Sequence, residues 1–137
     1  MLMTRASEYA LLSLVTLAKA STPIDTETLA HDLAISKSFL AKILQSLARE
    51  GILKSYKGVK GGFVLIQAKE KITLLQIMRA AEGKDPSVFD CSVGVGNCPA
   101  EKEDSCHIYP FIHNLQERID DFLEDMTLAD ILEKETV

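Results

Sequence analysis

Apolar residues in the first fifty positions repeat at helical spacing in three separate runs. The second run is short, and a turn at Ala34-Ile35 separates it from the third. Two helices joined across a tight turn predict a helix-turn-helix. The capping or stopping residues that bound these runs are Thr4, Asp25 or Thr26, Ser36 and Gly51.

Two shorter apolar runs, at 52–56 and 63–66, flank the glycine-rich connection Lys57–Gly62. Glycine takes positive φ angles at little cost, so this stretch predicts a two-stranded β wing. A fourth helix then follows the capping residue Thr73 and closes at Gly83. The expected fold class is mainly α with a small β wing: a winged helix-turn-helix over residues 1–83.

The stretch from 84 to 107 is poor in large apolar residues and carries all three cysteines of the chain. It is too poor in core residues to fold on its own. After it, apolar residues from Ile108 to Leu123 step by three and four, which predicts a long amphipathic helix with a seam for a partner helix. Thr127 caps one last short helix. We therefore expect a cysteine-bearing loop at 84–107 and a dimerisation region at 108–137.

The charge of the chain is unevenly distributed. The 137 residues carry a formal net charge of −5, which alone argues against nucleic-acid binding. Residues 28–62, however, hold six basic against two acidic side chains, whereas residues 101–137 hold eleven acidic against three basic. A cationic third helix and wing would neutralise DNA phosphates. The candidate DNA-binding residues are Ser36, Lys37, Ser38, Lys42, Lys57 and Lys60.

Two points about the predicted DNA-binding region, residues 1–83, which we call the reading head, stay open at the level of sequence. Phe39 either packs against the second helix, which we favour, or touches a thymine methyl group. The winged helix itself would also suit a protein-interaction module that binds no DNA.

The longest uncharged apolar run, Tyr9–Ala18, has ten residues against the roughly 20 that span a bilayer. Arg5 and the small residues around Lys19 resemble a signal peptide, but Glu8 and Lys19 are both wrong for one. We therefore expect a cytoplasmic protein. An odd number of cysteines in one short stretch fits a reducing compartment, where thiolates bind metal or react.

The cysteines Cys91, Cys98 and Cys106 are spaced C-x6-C-x7-C. This spacing matches neither the paired C-x2-C of structural zinc sites nor the C-x2-C-x2-C of bacterial ferredoxins. Wide spacing in a polar loop suits a larger object, an iron–sulfur cluster of the 2Fe-2S or 4Fe-4S type; the alternative is three unrelated cysteines. A fourth ligand is needed, and His107 and Glu8 are the candidates, while His31 and His113 are interpreted as ordinary histidines.

Several stretches resemble the Rrf2 superfamily of bacterial transcription regulators across essentially the whole chain. They are Met3-Thr4 with Glu8-Tyr9-Ala10, Ile35–Leu40, Lys57–Phe63, Ile72-Thr73-Leu74, Glu82-Gly83 and Thr127–Leu132. The three-cysteine loop is similar to the cluster-binding branch of the IscR and NsrR type. The resemblance implies a homodimer paired through the long helix, with a cluster whose state alters DNA affinity.

The resemblance also bears on the fourth ligand. In the IscR type a histidine lies three positions after the last cysteine, where this chain has Tyr109. In the NsrR type a carboxylate at the start of the first helix comes from the other subunit, and Glu8 stands at that place. We therefore expect Cys91, Cys98 and Cys106 plus Glu8, with His107 in reserve. The expected function is a repressor responding to nitric oxide, redox state or iron–sulfur supply.

Two alternatives compete with that function. One is a transcription regulator in which the cysteines act as a thiol switch without any cluster. The other belongs to a different class, a redox enzyme or electron carrier that uses the cluster. No glycine-rich nucleotide loop and no Ser-His-Asp set is visible in the sequence, so we expect no enzyme.

Overall fold

The computed structural model describes residues 3–88 and 106–134. The helices and strands of these ranges confirm the predicted fold class of a mainly helical chain with one small antiparallel sheet. In chain order they are α1 Arg5–Lys19, α2 Thr26–Leu33, α3 Lys37–Arg49, β1 Leu53–Tyr56, β2 Gly62–Leu65, α4 Leu74–Glu82, α5 Tyr109–Asp125 and α6 Leu128–Glu133.

The predicted caps account for where the helices begin. Five side chains each accept a hydrogen bond from the backbone N–H three residues later, which satisfies a donor that the first turn leaves unpaired. The turn between α2 and α3 is made by Ala34 in the left-handed region, with φ of 57°. The five capping residues are Thr4, Asp25, Ser36, Thr73 and Thr127.

The main core lies where α1, α3 and α4 meet. Leu14 of α1, Leu40 and Leu44 of α3, and Ile77 of α4 are completely buried there. A smaller cluster joins α4 to α5, with Met78 and other α4 side chains against Leu123. α6 closes this side of the molecule. The apolar periodicity of the sequence therefore marks the inner faces of the helices correctly.

The wing is attached to the start of the helix-turn-helix by its backbone. Ile24 and Phe63 exchange two backbone hydrogen bonds, at 3.2 and 2.9 Å. Gly62, with φ of +142°, lies so close to Ile24 that a Cβ atom there would meet the Ile24 carbonyl carbon at 2.4 Å. Glycine is therefore required at this junction, where the base of the wing lies against the segment that leads into α2.

Helix α5 does not present the single apolar seam that the sequence predicts. Ile112 is buried and Ile119 packs beside the α4–α5 cluster, so both are used within the chain. Phe111 and Phe122, by contrast, are 64% and 57% exposed. The stripe divides between two faces because α5 must also cover α4. Within the described ranges, no helix is long and apolar enough to cross a membrane.

Candidate functional site

The first turn of α3 presents a polar surface. Ser36, Lys37, Ser38 and Lys42 are all exposed, because the buried leucines and isoleucine of α3 lie on the opposite face. The Ser36 hydroxyl accepts from the Phe39 N–H at 3.5 Å and lies 3.1 Å from the Ser38 hydroxyl. Because the serine side chains are short, the backbone at the start of α3 stays accessible. A helix that enters a DNA groove requires such an accessible end.

One of the exposed lysines already has an acidic neighbour. The Lys37 ammonium lies 3.9 Å from a Glu27 carboxylate oxygen, and both side chains are largely exposed. A surface pair of this kind contributes little to stability, so Lys37 can exchange Glu27 for a phosphate at small cost. Within the described ranges, Lys42 has no ion-pair partner.

The start of α2 is rigidly capped. The Asp25 carboxylate accepts from the Thr28 N–H at 2.7 Å and from the Thr28 hydroxyl at 3.0 Å. These hydrogen bonds lower the pKa of Asp25. The bond from the Thr28 backbone N–H has the larger effect, and the bond from the Thr28 hydroxyl the next largest. The carboxylate therefore stays charged at neutral pH and holds the helix that supports α3.

Phe39 packs against α1, a neighbour that neither of our sequence expectations for this residue names. Its ring meets Tyr9 edge to face with centroids 5.6 Å apart, and 40% of the residue remains exposed. Tyr9 is available because the start of α1 lies beside the start of α3. Together they line a surface recess of about 520 Å³ that also includes Arg5 and Lys42. Arg5 thus lies beside the predicted reading surface, a placement that sequence spacing does not reveal.

The tip of the wing is basic and fully open. Lys57 and Lys60 are both exposed, and Val59 between them is wholly exposed. Lys54, further down β1, lies over the Tyr56 ring at 5.2 Å from its centroid. All six predicted DNA-binding residues are therefore accessible. Four belong to the start of α3 and two to the wing.

The cysteine site is only partly within the described residues. Cys91 and Cys98 lie outside them, whereas Cys106 is half-buried just before α5. Its carbonyl accepts from the Tyr109 N–H at 3.4 Å as the helix begins. Among the described residues no three His, Cys, Asp or Glu side chains come together as a metal site.

Both candidate fourth ligands are accessible. The Glu8 carboxylate, in the first turn of α1, lies 3.5 Å from the Arg5 guanidinium and is half exposed. His107 is exposed beside Cys106. Tyr109, which stands at the position of the IscR-type histidine, stacks on His113 with centroids 6.3 Å apart.

The histidines set aside in the sequence lie at surface positions. The His113 ring nitrogen is 3.4 Å from Glu117, and that of His31 is 3.5 Å from Asp32. Both side chains are more than half exposed. These contacts are those of ordinary surface residues.

One functional candidate, Gln116, escapes the sequence analysis altogether. It is a polar residue on α5, yet it is only 5% exposed. Its side chain bonds residues 86 and 88, which lie at the start of the cysteine-bearing loop, shortly before Cys91. A single glutamine on a long helix gives no sequence signal, because only the fold brings it to a chain segment 28 residues away.

The profile of the Rrf2 family, described as iron-dependent transcriptional regulators, matches residues 3–134. The chain belongs to the Rrf2 family. It is 30% identical over 133 residues to an HTH-type transcriptional regulator of Mycobacterium tuberculosis strain H37Rv, covering 96% of this chain and 81% of that one. The HTH-type transcriptional regulator IscR of Erwinia tasmaniensis is 27% identical, over 100% of this chain and 82% of that one.

The solved structure of Staphylococcus aureus CymR in its oxidised form has the same fold as this Rrf2 chain. The TM-score is 0.72 and the identity 24%, with 97% of each chain covered. The family is one of transcription regulators, not of enzymes.

Proposed function

We propose that this Rrf2-family regulator is a homodimeric repressor that binds duplex DNA with the start of α3 and the wing, and whose affinity depends on an iron–sulfur cluster. The observation that carries the proposal is the gathering of all three cysteines between α4 and α5, in a chain whose reading head is separately basic. The division into a head at 1–83, a loop at 84–107 and a dimerisation region at 108–137 is part of the proposal.

The reading surface is supported by charge and exposure together. The exposed residues Ser36, Lys37, Ser38 and Lys42 would enter the major groove, while Lys57 and Lys60 would contact phosphates of the flanking backbone. Since half or more of protein–DNA hydrogen bonds go to phosphate and sugar, four lysines in this set suit the task. The acidic α5 and α6 would face away from the DNA.

The donor chemistry of the chain fits an iron–sulfur cluster. Cys106 is half-buried, as a ligand shielded from bulk water should be, and Cys91 and Cys98, outside the described residues, would supply the other thiolates. Glu8 is exposed with only a surface partner, so a second subunit can reach it without breaking a buried interaction. A bound cluster would supply iron that reacts with oxidants or nitric oxide. Glu8 would be its hard and most easily displaced ligand, and His107 remains the reserve.

The homodimer is supported by α5. Phe111 and Phe122 lie eleven positions apart, three helical turns, and both are more than half exposed. Aromatic side chains repeated on one face of an exposed helix are typical of a helix that packs against a partner. Two reading heads would then meet two half-sites of one operator.

A thiol switch without a cluster is the second candidate. It is favoured by the likeness of fold to a CymR whose structure is of an oxidised form. In that case two of the three cysteines would form a disulfide, or one would be capped, and Glu8 would have no role.

Anaerobic purification separates the two candidates. We expect a coloured dimer with broad visible absorption, and native mass spectrometry should give a mass excess equal to an iron–sulfur cluster per subunit. Replacing Cys91, Cys98 or Cys106 with alanine should abolish the colour. A colourless wild-type protein whose DNA affinity changes on mild oxidation would refute the cluster and favour the thiol switch.

A further inference from the structure

Two side chains hold residues 85–88, which lead into the stretch that carries Cys91 and Cys98. At the end of α4, the Arg79 guanidinium donates two hydrogen bonds to the Asp85 carboxylate. Directly afterwards, Pro86 is buried and Ser87 and Val88 are half-buried. Asp85 is thus attached to α4 by hydrogen bonds, a few residues before Cys91.

Gln116 makes the second attachment, from the middle of α5. Its side-chain carbonyl accepts from the Val88 N–H at 2.8 Å, and its amide donates to the Pro86 carbonyl at 3.1 Å. The same amide donates to Asp120 at 2.8 Å, one turn along the helix. The bond to Asp120 fixes the orientation of the amide group. In that orientation the side chain can pair with both the Val88 N–H, a donor, and the Pro86 carbonyl, an acceptor.

A buried glutamine with this set of bonds is not a neutral packing residue. Burying its amide without partners would be costly, and its bonds to Val88 and Pro86 span 28 and 30 residues of sequence. The polar side chain is explained by what it holds, which is the chain at 86–88.

We propose that Gln116 is a positioning residue that fixes residues 86–88 against α5, at the point where the chain enters the stretch that carries Cys91 and Cys98. Cys91 follows Val88 by three residues, and Cys106 precedes the first residue of α5, Tyr109, by three. Gln116 therefore ties one end of the segment to the helix on which the other end begins. This inference rests on the proposed role of the cysteines as the sensory site, with or without a cluster.

The substitution that tests it is Gln116→Met, which keeps the volume and removes the hydrogen bonds to Val88, Pro86 and Asp120. In the metal-free protein, amide exchange at Val88 should become about two- to tenfold faster, the range that corresponds to one lost hydrogen bond. Glu117→Gln, one position along α5 and exposed, is the matched control and should change nothing.

The second readout measures the cysteines themselves. In a Cys98→Ala background, bifunctional thiol reagents of several lengths measure the rate at which Cys91 and Cys106 are bridged. Gln116→Met should change that rate severalfold without changing single-thiol labelling. A bridging rate that is unchanged with every reagent overturns the proposal. Failure of the cluster proposal is distinguished independently, by a colourless wild-type protein.

Discussion

The sharpest test of the reading surface is the dependence of DNA affinity on salt. Lys57→Ala removes a charge from the tip of the wing, where the side chain is exposed and takes no part in the core. Its loss should leave the fold intact. What it should change is the number of phosphates neutralised on binding.

The magnitude follows from the lysines that the surface presents. If Lys37, Lys42, Lys57 and Lys60 each meet one phosphate in both subunits, the dimer neutralises about eight, and the log–log slope of affinity against salt is roughly −7. Affinity then falls by roughly 10⁴-fold between 50 and 200 mM salt. Lys57→Ala removes two of the eight contacts, so the slope should become about −5.4 and the fall about tenfold smaller.

Fluorescence anisotropy of a labelled duplex, selected from a random pool by the wild-type protein, measures this slope. Lys71→Ala is the matched control, since Lys71 is exposed but lies in the turn before α4, away from α3 and the wing. Its slope should equal that of the wild type. A Lys57→Ala slope that also equals the wild type would remove the wing from the binding surface and refute the reasoning.

Three further predictions follow from the fold and the caps. Gly62→Ala should destabilise the protein by about 1–3 kcal/mol in urea unfolding, because the new Cβ combines a positive φ with a close contact on the Ile24 backbone. Gly58→Ala, also at positive φ but in open space, is the control and should cost less. Equal costs for the two variants would contradict the close approach of Gly62 to Ile24. Phe122→Glu should shift the protein from dimer to folded monomer in analytical ultracentrifugation, and a dimer that persists would argue against pairing through this face. The pKa of Asp25 is lowered in the fold, so its charged form stabilises the protein above the unfolded value of about 3.9. The stability gap between wild type and Asp25→Ala should therefore be constant near neutral pH and shrink as the pH falls through the lowered pKa; a gap independent of pH would refute the charged cap.

The helix boundaries of this chain can be predicted from the sequence because the residues that set them interact with residues close by in the chain. Thr4, Ser36 and Thr73 each cap a helix through a hydrogen bond to a residue three positions on, so both partners lie within one turn. Gly83 ends α4 in the left-handed conformation for an equally local reason. No knowledge of the tertiary fold is needed to place these boundaries.

What the sequence does not reveal are contacts between distant elements. The helical periodicity around Phe39 does not indicate that its ring meets Tyr9 of α1. The α5 stripe fails for a related reason, since one helix serves both α4 and an exposed face. Gln116 is the extreme case, because its bonds to Pro86 and Val88 exist only once α5 has docked.

The separation of charge in this chain has a consequence for specificity. Helix α5 carries Glu117, Asp120, Asp121, Glu124 and Asp125, and the Debye length at physiological salt is about 8 Å. An approach that brings α5 toward a phosphate backbone is repelled, whereas an approach by α3 and the wing is attracted. Because the whole chain is net negative, this arrangement weakens binding in wrong orientations more than it weakens the productive one. If α3 and the wing bind DNA as proposed, the acidic α5 would contribute to recognition without touching DNA, because it would leave their face as the favourable route of approach.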